Sequence, residues 1–244
     1  MAVDTRPASG FRRAMLKLSG EALLGAQPYG IDAAAVDRYA GEISAVAASG
    51  MQICVVVGGG NIFRGLAAAA AGMDRVKADY IGMMATVMNA VALESALAAR
   101  GQAVTVHSAI PVPHVAPAFH RDGAMRDLDG GRVVIFAGGT GNPFFTTDTT
   151  AALRAAEMGC DVILKATQVD GVYSADPKRD PDATRYDRLT YDEALTRNLR
   201  VMDSAAFAIA RDARIPILVF CSEGESSIHK ALSGAARSTL VSEG

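Results

Sequence analysis

Only five of the 24 Lys and Arg residues are lysines, and two of those, Lys17 and Lys165, close apolar runs of strand character (Ala14–Leu18 and Asp161–Lys165). An ammonium at the end of a buried strand is costly to desolvate unless an anion meets it. Two readings stand side by side: both heads snorkel to a solvated rim, or both point at phosphates in transfer. Glycine-rich turns follow two other apolar runs. Gly58-Gly-Gly-Asn-Ile-Phe-Arg-Gly65 follows Gln52–Val57, and Gly138–Asp148, spelled GGTGNPFFTTD, follows Arg132–Ala137. Such turns let backbone N–H groups approach an anion, and the helices after them add the positive end of a dipole. Arg64 adds a planar fork donor. Phosphoryl transfer needs this kind of equipment: positive charge, amide donors and a divalent metal around an in-line geometry.

The spelling excludes the common nucleotide loops. No Gly-Lys pair occurs, so there is no Walker loop. A dinucleotide fingerprint needs a third glycine where Phe63 and Phe144 stand. Asp79 lies about 20 residues beyond the glycines, as a ribose acid would, but at the start of a helical run and not at a strand end. The HRD and DFG motifs of protein kinases are absent.

Short β-branched runs alternate with alanine-rich helical ones, which predicts a parallel sheet covered on both faces. Strands are expected at Ala14–Leu18, Gln52–Val57, Ala103–Val106, Arg132–Ala137, Asp161–Lys165 and Ile217–Phe220. Helices are expected at Asp32–Ala48 (Asp32 as N-cap), Ala78–Ala99, Asp148–Met158, Tyr191–Thr196 and Ser204–Asp212, with Gly50, Gly101 and Gly159 as C-terminal caps. Gln168–Leu189, with its Asp170-Gly171 turn, reads as a hairpin or long functional loop. Ser108–Asp129 reads as irregular. Ligands of such sheets bind beyond the carboxyl ends of the strands. Lys17–Gly20, Gly58–Gly65, Gly138–Asp148 and Lys165–Thr167 should therefore share one rim.

Length and composition agree with a single domain of 244 residues, half of them hydrophobic and 20% charged. A net charge of −2 without a basic stripe argues against a nucleic-acid binder. Cys54, Cys160 and Cys221 sit in or beside apolar runs and lack CxxC spacing, so free buried thiols in a reducing cytoplasm are expected. The four histidines show no metal-ligand spacing. Consecutive apolar runs are too short to span a bilayer, and Met1–Gly10 lacks the apolar core of a signal peptide. A soluble cytoplasmic protein is expected, with no internal repeat and only the short Ala67–Ala71 run of low complexity.

Four motifs carry a resemblance. They are Leu16-Lys-Leu-Ser-Gly-Glu-Ala22, Val57-Gly-Gly-Gly-Asn-Ile-Phe-Arg-Gly65, Gly139-Thr-Gly-Asn-Pro-Phe-Phe-Thr-Thr-Asp148 and Lys165-Ala-Thr-Gln-Val-Asp-Gly-Val-Tyr-Ser-Ala-Asp-Pro177. Together they resemble the bacterial uridylate kinases of the amino-acid-kinase superfamily, from about Arg13 to about Leu240. The last two motifs are the specific ones. The resemblance implies a three-layer αβα sandwich with a mainly parallel central sheet. It implies transfer of the γ-phosphate of Mg-ATP to UMP, giving UDP in pyrimidine nucleotide biosynthesis. Residues 1–11 would be a flexible tail, 12–160 the acceptor lobe and 161–244 the ATP lobe. Lys17, Leu18, Ser19, Gly20, Gly60, Arg64, Thr167, Tyr173 and Asp176 would serve ATP. Gly59, Asp79 and the run Thr140, Gly141, Asn142, Pro143, Phe144, Phe145, Thr146 and Thr147 would serve UMP. Lys17 and Lys165 would stabilise the moving phosphoryl group, with Asp148 and Asp203 as organisers of lysines or Mg²⁺. The family is typically a homohexamer activated by GTP and inhibited by UTP. Its effector loop would fall at Gly25, Ala26, Gln27, Pro28, Tyr29 and Gly30.

Each residue also has a plainer reading. Asp148 could simply cap its helix, Asp79 could be a first-turn acid, and Tyr173 a hairpin-face aromatic. Met83, Met84 and Met88 have the spacing of core or interface packing. Arg12-Arg13 would be a solvated strand start. Of Phe144 and Phe145, one would line the acceptor pocket and the other pack the loop into the core or a neighbouring subunit. Two other activities remain as alternatives: a kinase of the same superfamily acting on an acyl group, against which the paired phenylalanines count, and a non-catalytic nucleotide sensor, against which the two retained lysines count.

Overall fold

A computed structural model describes residues 10–65, 70, 72–197, 199, 201–225 and 227–243. The tail expected over 1–11 and the Ala67–Ala71 run lie largely outside them. At the centre of the sheet β1 (Arg13–Leu18) pairs in parallel with β2 (Gln52–Val57) on one side and β5 (Val162–Thr167) on the other. Beyond β2 come β4 (Val133–Ala137) and β3 (Val104–Ser108), and beyond β5 come β9 (Ile217–Cys221), β10 (Ser238–Ser242) and β8 (Arg188–Thr190). All pairings in this eight-stranded sheet are parallel except β9 with β10.

Side chains alternate between two cores, as the pleat requires. Leu16, Leu18, Val55 and Val57 face one core, while Met15, Cys54 and Val56 face the other. Helices α1 (Ala33–Ala48), α2 (Arg75–Ala99) and α7 (Ser227–Leu232) close the first. The second is closed by α3 (Arg121–Asp129), α4 (Thr147–Met158), α5 (Tyr191–Thr196) and α6 (Ser204–Asp212). The result is the expected three-layer αβα sandwich. Asp32 caps α1 by accepting from the Ala35 N–H at 2.7 Å, and Thr190 with Glu193 forms a capping box on α5.

Some expectations change. Ser108–Asp129 is not irregular throughout, because α3 occupies its second half. That helix is mostly polar and buries only Ala124 and Leu128, a pair too sparse to show as a period. The region Gln168–Leu189 contains the hairpin of β6 (Val172–Tyr173) with β7 (Arg185–Tyr186). Its last residues enter β8, which pairs with β10 near the chain end. Arg13 is not a solvated strand start: its guanidinium bonds Gln52 Oε1 at 2.8 Å and the Met158 carbonyl. The 25-residue α2 is long and apolar enough to cross a bilayer by length and composition, contrary to the count of consecutive apolar residues. Isolated charges break the runs without lowering the window average. Its Val87, Ala90, Leu93 and Leu97 pack in the first core, as in a core helix of a folded domain. Tyr80, Met84 and Met88 form an outward stripe at i, i+4 and i+8, exposed by 44%, 50% and 55%.

Candidate functional site

The two lysines come together because β1 and β5 are neighbours in parallel register, with Lys17 opposite Lys165. Residues in register point to the same face, about 4.8 Å apart. Lys17 is 4% exposed. Both ammoniums reach one carboxylate oxygen, Asp148 Oδ1, at 2.7 Å from Lys17 and 2.5 Å from Lys165. Asp148 lies in the first turn of α4 and does not cap it. The cap is Thr146, whose hydroxyl accepts from the N–H groups of Asp148 and Thr149. The side chain of Asp148 is thereby free to bridge the lysines.

Burial raises the Asp148 carboxyl, but Lys17 and Lys165 outweigh it and bring it down to about 2. Lys165 is pushed down to about 8, by burial first and by the charge of Lys17 second, with Asp148 opposing. Stability follows from these directions. Asp148 contributes above its unfolded value near 3.8, and that contribution is lost as pH falls toward 2. Lys165 opposes folding at neutral pH, and its penalty is relieved between about 8 and 10.5. At neutral pH the pair carries two positive charges against one negative, a site that attracts anions.

The cluster lines one cavity, and a second opens nearby. The first, of about 830 Å³, is lined by Lys17, Ser19, Asp148, Lys165 and Thr167, and extends to Gly25, Arg38, Ser222 and Glu223. The second, of about 500 Å³, is lined by Gly59, Gly60, Arg64, Arg75, Asp79, Thr140, Asn142, Phe145, Thr146 and Thr147. Glu21 lines both and pairs with Arg64 at 2.5 Å. A third cavity of about 400 Å³ opens on Asp148 from the α5 and α6 side, with Leu195, Met202 and Phe207 as apolar walls. Nothing in the spelling of that region marks it.

Lys17–Gly20 and Gly58–Gly60 pack so tightly that Gly20 has no room for a side chain. A Cβ there would lie 2.5 Å from Asn61 Oδ1, 2.7 Å from the Gly60 nitrogen and 2.8 Å from the Gly58 oxygen. Two of those atoms are backbone and cannot swing away. Gly20→Ala is expected to destabilise the chain by about 3 kcal/mol, the upper end of overpacking. Urea unfolding checks this, and an unchanged midpoint would show that the two turns can part.

The remaining residues divide by position. Leu18 is fully buried in the first core, so only its backbone can take part: its carbonyl accepts from the Gly58 N–H at 2.9 Å. Gly60 and Arg64 line the Asp79 cavity, on the side expected for the acceptor. Tyr173 and Asp176 belong to the hairpin segment and do not line the cavity that holds Thr167. The Tyr173 hydroxyl donates to Asp170 at 2.5 Å, and Asp176 accepts from the Lys178 N–H at 3.0 Å. Asp203 meets neither lysine. Its carboxylate caps α6 through the Ala206 N–H and accepts from the Thr149 and Thr146 hydroxyls. It ties the end of the Gly138–Asp148 loop to α6 and is already engaged.

Asp79 is not a first-turn acid, because α2 begins at Arg75. Its carboxylate pairs with the Arg75 Nε at 2.9 Å and accepts from the Phe144 N–H at 2.8 Å. Phe144, at φ 72°, turns its ring outward (65% exposed) to within 5.5 Å of the Arg75 guanidinium, and Phe145 lines the cavity. The phenylalanine that does not line the cavity thus packs into no core of this chain. Gly141 and Pro143 shape the turn without lining the cavity. Sequence reasoning missed Arg75, whose i, i+4 spacing from Asp79 was the available signal. In the Gly25–Gly30 loop, Gln27 Nε2 donates to Asp32 at 3.2 Å and Gly30 bonds to Asn61, while Ala26, Pro28 and Tyr29 are exposed.

Residues 12–221 match the family described as Amino acid kinase family, and the chain belongs to it. It is 55% identical over 231 residues to a uridylate kinase of Paramagnetospirillum magneticum, spanning 95% of this chain and 96% of that one. Among solved structures it is similar to UMP kinase from Ureaplasma parvum, with a TM-score of 0.91 and 38% identity over 95% of this chain and 99% of that one. UMP kinase from Bacillus anthracis is equally similar, with a TM-score of 0.91 and 38% identity over 98% and 97%. Uridylate kinase from Archaeoglobus fulgidus follows, with a TM-score of 0.72 and 34% identity over 94% and 99%.

Proposed function

We propose that this chain is a nucleoside monophosphate kinase that transfers the γ-phosphate of ATP to UMP, giving UDP in pyrimidine nucleotide biosynthesis. The observation that carries the reading is the convergence of Lys17 and Lys165 on Asp148 in the wall of one cavity, with a second cavity on the Asp79 side that shares Glu21 with it. That is the layout an in-line transfer between two nucleotides requires. Relatives named uridylate kinase or UMP kinase, spanning nearly the whole chain, support the same substrate. Residues 12–160 form the acceptor lobe and 161–244 the ATP lobe.

The proposed division of labour follows the geometry. Ser19 and Gly20 hold ATP phosphates through backbone and hydroxyl donors, and Thr167 flanks the rest of ATP. Lys17 and Lys165 neutralise charge on the moving group. The turn at Gly59 and Gly60, with Arg64, receives the acceptor phosphate, Asp79 holds ribose hydroxyls, and Thr140–Thr147 surrounds uracil. A divalent metal accompanies ATP, and Mg²⁺ is the proposed ion. Among the described residues no group of three or more His, Cys, Asp or Glu side chains forms a cage. Asp148, Asp203 and Glu21 are each engaged by neighbours. This donor set fits an ion carried largely by the phosphates, as Mg²⁺ usually is. GTP activation through Gly25–Gly30, UTP inhibition and a cytoplasmic homohexamer complete the proposal. The exposed Tyr80–Met84–Met88 stripe supports self-association.

A phosphotransfer panel of UMP, CMP, AMP, glutamate and carbamate, repeated with GTP and UTP, tests the reading. UMP should be turned over fastest. Turnover of glutamate without UMP would move the chain to an acyl kinase, and no turnover of any acceptor would leave a nucleotide sensor. Asp79→Asn is expected to raise the KM for UMP about 10- to 100-fold, the worth of a hydrogen bond to a charged group. The KM for ATP should stay within about threefold, and equal effects on both would remove Asp79 from the acceptor side.

A further inference from the structure

Two asparagines lie behind the glycine turn, outside both cavities. Asn61 is 3% exposed, and Asn89 of α2 is fully buried. Their side-chain amides pair reciprocally. Asn61 Nδ2 donates to Asn89 Oδ1 at 3.0 Å, and Asn89 Nδ2 donates to Asn61 Oδ1 at 2.7 Å. Each amide then has one N–H left. That of Asn61 goes to the Gly30 carbonyl at 2.9 Å, and that of Asn89 to the Gly58 carbonyl at 2.6 Å. The Gly30 N–H closes the contact by donating to the Asn61 carbonyl at 3.0 Å. Every side-chain donor of the pair is therefore used.

This arrangement joins segments far apart in the chain. Asn89 anchors it on α2, ten residues beyond Asp79, or about 15 Å along one rigid helix. Gly58 opens the turn whose next two residues line the Asp79 cavity, and Gly30 ends the Gly25–Gly30 loop. A fully satisfied polar pair in a dry core specifies one arrangement, because any slip leaves a buried donor or acceptor unpaired. An apolar pair of the same volume would hold the helix against the turn without fixing the direction of the Gly58 carbonyl.

We propose that Asn61 and Asn89 are positioning residues for the transfer. Their amide pair sets the Gly58–Gly60 turn against the cleft and ties it to Gly25–Gly30, so that occupancy of the cleft is transmitted to that loop. The proposal rests on the reading of Gly58–Gly60 as facing the acceptor phosphate. The pair touches no substrate and acts only through the two backbone segments it holds.

Hydrogen exchange with and without UMP, on peptides covering residues 24–31 and 57–65, tests it in the full chain, its N61A variant and its N89D variant. In the unaltered chain UMP should slow exchange in both peptides. N61A removes the side-chain bond to the Gly30 carbonyl, leaves the backbone bond from the Gly30 N–H to the Asn61 carbonyl, and keeps the Asn89 bond to Gly58. It should retain protection at 57–65 and weaken it at 24–31, and kcat should fall less than in N89D. N89D turns a carboxylate oxygen toward the Gly58 carbonyl, and should lower kcat at least tenfold while the KM for UMP changes less than threefold. Protection of 24–31 by UMP in N61A equal to that of the unaltered chain would overturn the proposal, as would an N89D kcat within twofold. If N89D does not fold, N61A decides alone. A failure of UMP to protect 57–65 in the unaltered chain would instead remove the reading of the glycine turn, and the proposal with it.

Discussion

Lys165→Ala should abolish turnover, lowering kcat by about 10³-fold or more, while equilibrium binding of UMP stays within a few-fold. The reason lies in where the ammonium sits. Lys165 is held beside Lys17 by strand register and by a shared oxygen of Asp148, away from the side chains that line the Asp79 cavity. Its charge is therefore available to the phosphoryl group in flight more than to the bound acceptor, and such interactions act on kcat. A thousandfold loss corresponds to ~4 kcal/mol of transition-state stabilisation. Single-turnover rates and calorimetric UMP binding check both halves, and unchanged turnover would remove the proposed role. The pH profile gives a second view. Because Lys165 loses its proton near pH 8 in the free protein, kcat/KM should fall above about that pH. Bound ATP adds negative charge and holds the proton on, so the matching limb of kcat should lie at higher pH.

Asp148→Asn is the second large effect. In the native site one carboxylate offsets two buried ammoniums. Removing that charge while keeping its shape leaves like charges side by side in a desolvated cluster. Breaking a buried ion pair costs about 3–5 kcal/mol, and a similar loss of stability is expected in urea unfolding near neutral pH. The Lys165 ammonium, already weakened by burial and by Lys17, loses the group that opposes both. Its share of neutral amine at pH 7 then rises, and kcat should fall by about 10²-fold or more. The stability difference from the native chain should narrow in acid, since protonation removes the native carboxylate's charge as well. A constant difference from pH 7 down to pH 2 would show that Asp148 acts through packing and not through charge.

The fold was legible where pattern and packing agree. The six central and flanking strands were visible because both faces are covered, which leaves continuous β-branched runs such as Ile-Cys-Val-Val-Val. Helices α5 and α6 were read to the residue because each opens on a strong cap, Thr190 and Asp203. Elements that bury few residues were not legible. α3 offers only two buried apolar residues, and β8 and β10 find each other across about fifty residues of chain. Their stability is tertiary, so no local window carries it.

At the site, residue types and spacing alone showed two strand-end lysines, two glycine turns, an acid beyond them and a pair of phenylalanines in the second turn, and excluded Walker and dinucleotide chemistry. Spacing along the chain says which residues end strands, and in a parallel sheet those ends share one rim. What it does not carry is the order of strands or the direction of a side chain. Placing β1 beside β5, and so Lys17 opposite Lys165, was decided by the sheet. Only the folded chain separated the two aspartates: Thr146 caps α4 and frees Asp148 for the lysines, while Asp203 spends its oxygens on Thr146, Thr149 and the start of α6. The same holds for Phe144 and Phe145, identical in chemistry and adjacent in sequence. A positive φ at Phe144 sends its ring outward and its N–H to Asp79, leaving Phe145 to face the cavity. Local chemistry is written residue by residue, whereas direction depends on backbone angles that the packed surroundings select.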